Sequence, residues 1–141
     1  MLTFKYRAIP IDSTRLYCQE LVELKLDSGV ITDGSGTELY AGDSSCKWLL
    51  NGPPGTHWRL DFIELDTEDN VDHIWLFHGS APLKDNLIAK FSGSELPPII
   101  VTDHNELLIW FLSDRATNRQ GWTLSYSKTT MPAGVYSRES N

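Results

Sequence analysis

The chain has 141 residues, with 19 acidic against 12 basic side chains and a formal charge of −7. That length suits one domain with a core of its own, and the acidity argues against nucleic acid or an anionic membrane surface as partner, because both demand clustered Lys and Arg. No stretch approaches the roughly eighteen apolar residues of a membrane span, and charges recur from Met1 to Cys18, so no signal-peptide core is read there.

In chain order, Leu2 to Ile11 alternates Leu2, Phe4 and Tyr6 like a strand, ended by Pro10, which cannot donate to a ladder. Asp12 to Arg15 reads as a turn. Glu20 to Leu26 alternates less regularly, but Gly29 and the β-branched pair Val30 and Ile31 favour strands over a short helix. Asp33 to Gly36 supplies turn chemistry. Cys46 to Leu50 is strand-like and is stopped by the turn from Asn51 to Gly55. Trp58, Leu60 and Phe62 alternate with Arg59, Asp61 and Ile63, so a pleated strand would bury the first set and turn the second outward. His73 to Phe77 is again strand-like and Gly79 ends it. Leu87 to Phe91 and Ile99 to Thr102 are short strands separated by Pro97 and Pro98, and Asp103 to Glu106 is a turn. Leu107 to Leu112 is wholly apolar, as in a strand covered on both faces. Trp122 to Tyr126 alternates cleanly, and the polar tail from Ser127 to Asn141 is left extended or disordered. About nine short strands with no amphipathic helix make the class all-β, and periodicity alone leaves barrel and sandwich both open.

Between two of these strands lies an acidic loop. Asp66, Glu68, Asp69 and Asp72 crowd like charge into one turn, which is unfavourable unless water or a cation neutralises it. This loop is the first candidate for a site. Glu64, Asp66, Glu68 and Asp72 have the residue types of glycoside hydrolysis. The four histidines, His57, His73, His78 and His104, however, fall in no metal-binding spacing, and no Ser or Cys sits in a recognisable nucleophile turn. The reading is therefore not an enzyme. Cys18 and Cys46 are the only cysteines, too few for a zinc site without closely spaced histidines; one disulfide and two buried thiols both fit the count.

The residues also carry a resemblance. Cys18, Gly29-Val30-Ile31, Cys46-Lys47-Trp48, Leu60-Asp61-Phe62, Asp66-Thr67-Glu68, Asp72, Gly79, Phe91-Ser92-Gly93, Ser113-Asp114, Gly121-Trp122 and Tyr126 follow one another as in a CUB domain. The resemblance runs from Cys18 to Tyr126, making residues 18–126 the domain, 1–17 an extension or linker and 127–141 a tail. It implies a jelly-roll-like sandwich of two antiparallel sheets, used as a recognition module of secreted or cell-surface proteins. It also implies that Cys18 and Cys46 form the family's first disulfide. The second is missing, with Asp69 or a neighbour at one of its positions and Ser92 at the other. The single-disulfide pattern and the wording of the turns suggest a bacterial or other microbial relative. In calcium-binding members the ligands correspond to Glu68, Asp72 and Asp114, a donor set of hard oxygens that suits Ca²⁺ on chemical grounds too.

One functional reading is an adhesion or recognition module that meets a glycan or protein receptor through the loops that carry Tyr40, Asp66, Asn118 and Arg119, at an extracellular or periplasmic location. The alternative is an assembly domain, such as the tip or packing element of an oligomeric fibre. That alternative draws on strand direction. If Leu107, Ile109 and Phe111 face the core, then Leu108, Trp110 and Leu112 face away. The same logic turns Trp75, Phe77 and Leu49 outward, and a shared sheet would then present a large apolar patch, an interface covered either by Leu2, Phe4 and Tyr6 or by a second copy in a homo-oligomer.

Overall fold

The computed structural model describes residues 21–32, 45–67, 69, 72–113 and 121–137. Among them are ten strands: β1 (Leu21–Leu24), β2 (Ser28–Thr32), β3 (Ser45–Asn51), β4 (His57–Asp66), β5 (His73–His78), β6 (Leu87–Phe91), β7 (Ile99–Thr102), β8 (Glu106–Leu112), β9 (Gly121–Thr129) and β10 (Gly134–Tyr136), with one short 3₁₀ turn at Lys84–Asn86. They form two five-stranded sheets, in the orders β10-β7-β4-β9-β2 and β1-β3-β8-β5-β6. Every pairing is antiparallel except β1 with β3, which is parallel. The fold is thus all-β, as the strand pattern indicated, and a two-sheet sandwich, as the resemblance implied, with one parallel edge that neither announced. The expected strand at Leu2–Ile11 and the turns at Asp12–Arg15 and Asp33–Gly36 lie outside the described residues.

The core lies between the sheets. Trp58, Leu60 and Phe62 of β4 enter it with Ile74 and Leu76 of β5, Leu107, Ile109 and Phe111 of β8, and Trp122, Leu124 and Tyr126 of β9. Its centre is aromatic, with Trp122 meeting Trp48 edge-on at 5.3 Å and Phe111 at 5.7 Å. Edge-to-face contacts of this kind add about 0.5–1.5 kcal/mol beyond the area they bury.

Two features aim the site. In the β4–β9 ladder Glu64 pairs with Thr123 and Phe62 with Leu124, so Ile63 is an extra residue, a bulge. The bulge reverses the phase: Ile63 and Glu64 are both exposed, Leu65 returns to the core, and Asp66 stands half-buried at the strand end. At the same end, β5 begins at His73 directly opposite Leu112, where β8 finishes.

The tail is not wholly without structure. The strand that starts at Gly121 continues past Tyr126 to Thr129, and Gly134–Tyr136 forms an edge strand paired with Ile99–Val101 of β7. A polar stretch can complete a sheet when its backbone groups find an edge to pair with, and that is a long-range effect with no signature in local composition.

Candidate functional site

The loop between β4 and β5 is tethered by one threonine. The backbone N–H of Thr67 donates to the Gly93 carbonyl at 2.9 Å, and the Gly93 N–H donates back to the Thr67 hydroxyl at 2.9 Å. The same hydroxyl donates to the backbone carbonyl of Asp72 at 3.1 Å. Thr67 therefore closes the loop from Asp66 to Asp72 onto itself and ties it to the β6–β7 connection. Gly93 takes φ +84°, which an L side chain resists, and a Cβ there would stand 3.0 Å from the Asp69 carboxylate. Ser92 beside it donates to that carboxylate at 3.4 Å.

Asp72 is the site's principal feature. It is 0% exposed, although it sits at the end of a loop rich in like charge. A buried carboxylate survives only where donors or a cation compensate its lost hydration. Its chain neighbour His73 faces Leu112, so the next residue along β8's exit, Ser113, lies beside it and is itself buried. Asp114 follows Ser113 in sequence, and Asp66 closes β4 opposite Gly121.

Asp66, Asp69 and Asp72 thus lie at one end of the sandwich. Glu68 and Asp114, the other two expected calcium ligands, lie outside the described residues, as do Tyr40, Asn118, Arg119 and Cys18. Among the described residues no three acidic, His or Cys side chains converge on one point. Cys46 is fully buried and is not a free thiol. At the residue level, the sequence reading missed Thr67 and Gly93; a threonine between two acids that precedes a turn was the available signal, since its hydroxyl can cap backbone groups.

The residues expected to turn outward lie on the outer face of one sheet, away from the acidic loop. Leu49, Phe77 and Leu108 form a second buried cluster on the far face of the β1-β3-β8-β5-β6 sheet, with Trp75 and Trp110 packed against it. Leu112 is half-buried at the end of β8.

With this geometry in place, comparison with known proteins decides the family. The CUB domain model matches residues 18–126. The chain belongs to the CUB family. It is 34% identical over 110 residues to the human multiple epidermal growth factor-like domains protein 8, covering 77% of this chain and 4% of that protein. To mouse Tolloid-like protein 1 it is 29% identical over 104 residues, covering 71% of this chain and 10% of that one. The chain therefore spans only a small part of these relatives. Among solved structures, the CUB2 domain of MASP-1 bound to Ca²⁺ superposes with a TM-score of 0.67 at 26% identity, covering 75% of this chain and 96% of that one. The CUB1-EGF-CUB2 region of rat MASP-1 gives 0.66 at 26% identity, covering 79% and 40%. These relatives are animal proteins, and they lend no support to the microbial affinity suggested by the sequence wording.

Proposed function

We propose that this CUB domain is a non-catalytic recognition module of a secreted or cell-surface protein, and that it binds a basic side chain of a protein partner through a calcium-ordered acidic loop. The observation that carries the reading is the complete burial of Asp72 beside Ser113, in a loop that Thr67 closes. Glu68, Asp72 and Asp114 would hold the ion, a set of carboxylates that suits the six to eight oxygens Ca²⁺ takes when carbonyls and waters complete the shell. Bound calcium supplies fixed positive charge that offsets the mutual repulsion of these side chains. The chain's own contribution is to fix the loop and to leave Asp66 half-exposed at its rim. Asn118, Arg119 and Tyr40 would border the contact. The solved MASP-1 CUB2 domain, which carries Ca²⁺, supports the assignment by fold and family.

Cys18 and Cys46 would form a disulfide, in keeping with an oxidising compartment. Its measure is alkylation, which should label neither cysteine before reduction and both after it.

Calcium titration tests the central reading. Affinity is expected on the order of 10⁻⁴ to 10⁻³ M, typical of extracellular modules, and melting temperature should rise with the ion because only the folded chain assembles the site. Asp114→Ala should abolish both effects. Partner affinity should fall with ionic strength. A calcium-insensitive melt, with loop resonances unmoved by the ion, removes the site. Salt-insensitive capture of a neutral sugar on a glycan array removes the basic partner in favour of a glycan.

A further inference from the structure

The outer face of the β10-β7-β4-β9-β2 sheet has a low centre and raised sides. Strand β9 buries Trp122, Leu124 and Tyr126 in the core, so its alternate residues Thr123, Ser125 and Ser127 turn outward, and Gly121 starts the strand with no side chain at all. The centre of the face is therefore floored by small groups. In register, Ser125 lies between Val30 of β2 and Asp61 of β4, and Thr123 lies between Thr32 and Glu64. Directly paired residues share a face, so Val30 rises on one side of β9. On the other side the bulge turns Ile63 outward together with Glu64. Val30 is 59% exposed and Ile63 is 53% exposed. Since β2 and β4 are two strand spacings apart, these walls flank a channel roughly 10 Å wide along β9.

A single exposed apolar side chain is ordinary, but these two border one channel, and the channel runs into the acidic site. Strand β9 begins at Gly121, directly opposite Asp66. From Ile63 to Asp66 is three residues along β4, roughly 10 Å. A chain lying in the channel can thus rest an apolar side chain on Ile63 while a basic one reaches the acidic loop. Charge favours such a chain. Asp61, Glu64 and Asp66 all belong to β4, whose only Arg or Lys is Arg59, and that guanidinium stands 3.7 Å from Asp61. The Thr123 hydroxyl donates to Glu64 at 3.2 Å and holds its carboxylate beside the channel floor. A second copy set face to face would bring like carboxylates together and be repelled, whereas a basic segment is attracted.

We propose that this channel receives an extended segment of the protein partner, with apolar side chains seated against Ile63 and Val30 and a basic side chain delivered to the acidic loop. The inference rests on the acidic loop as the anchor for that basic side chain, and it adds the sequence context the partner must have. An extended chain turns alternate residues to one side, so the apolar positions stand at even spacing from the basic one.

Two labelled peptides, titrated with the full chain in millimolar calcium and read by fluorescence anisotropy, test the proposal. One is Val-Ser-Leu-Ser-Lys-Ser-Leu-Ser-Val, symmetric so that either chain direction is served, and the other has Ser at every Val and Leu. The apolar peptide should bind roughly ten-fold tighter, the gain from one apolar side chain leaving water, and should move the amide resonances of Thr123 and Ser125. The V30S/I63S double variant should bring the ratio of affinities to one. Ser125→Trp, which fills the channel floor, should do the same, and melting curves establish that both variants are folded. Equal affinities of the wild type for the two peptides, no binding of either, or a preference that survives both variants would each overturn the channel. The acidic-loop reading fails by a different measurement, the calcium titration: a melt that responds to calcium alongside equal peptide affinities removes the channel and leaves the loop standing.

Discussion

Ser92 donates a hydrogen bond to the Asp69 carboxylate at 3.4 Å, and in the resemblance Ser92 holds one position of the family's second disulfide while Asp69 or a neighbour holds the other. The contact is long and exposed, so it stabilises little by itself. Its value is in the placement, which already brings β6's exit and the acidic loop side by side. The double variant D69C/S92C should therefore oxidise without a backbone rearrangement and stabilise the fold by about 2–4 kcal/mol. Thiol titration and a melt in oxidising buffer check it. Thiols that stay free would show that the two Cβ atoms are not aimed at one another.

Gly29 lies opposite Tyr126 in the β2–β9 register, and a Cβ on it would stand 2.6 Å from the phenol oxygen and 2.9 Å from the ring carbon that bears it. The ring cannot swing aside, because it is buried and packs edge-on against Trp58 at 5.7 Å. Gly29→Ala should then cost about 1–3 kcal/mol through overpacking. Urea denaturation measures it, and a midpoint equal to wild type would show that β2 moves off the core freely.

The phenol of Tyr126 itself makes stability depend on alkaline pH. Burial raises its pKa above the ordinary 10.0, because the charged phenolate is the form that loses hydration. The unfolded chain then releases this proton at lower pH than the folded one. The stabilisation is complete below pH 10.0 and is lost as pH rises through the folded value. Tyr126→Phe keeps the ring and removes the titration, so its urea midpoint should fall less steeply over that window than that of wild type. Parallel curves would place the alkaline loss on other groups.

How much of this was legible in the sequence depended on the range of the forces involved. The inward and outward sets of β8 could be separated because assigning Leu107, Ile109 and Phe111 to the core leaves no other side for Leu108 and Trp110. The bulge at Ile63 could not, since it is set by how β4 pairs with β9 and not by anything in β4 alone. The same holds for Gly134–Tyr136, where Gly134 and Val135 are exposed and only the pairing with Ile100 and Val101 makes a strand. At the site, the carboxylates stood out by chemistry. The role of Thr67 did not, because a threonine after a strand reads as an ordinary β-former until Gly93 is seen beside it.

Thr67 carries the last prediction, because it couples the fold to the site. Its hydroxyl accepts from Gly93 and donates to the Asp72 carbonyl, all within the buried interior. Thr67→Val keeps the shape but leaves the Gly93 N–H and the Asp72 carbonyl without this partner, which should cost about 1–3 kcal/mol. The loss should not be uniform in conditions. If calcium orders the same loop, the ion offsets part of the loosening, so the variant's deficit in melting temperature should be larger in chelator than in millimolar calcium, and its calcium affinity should be weaker than wild type. Thr67→Ser, which retains the hydroxyl, should recover most of both. Thermal melts of the three proteins with and without calcium separate the cases. A deficit that is the same in chelator and in calcium, with Thr67→Ser behaving like Thr67→Val, would mean that Thr67 serves only packing and that the loop it closes holds no ion.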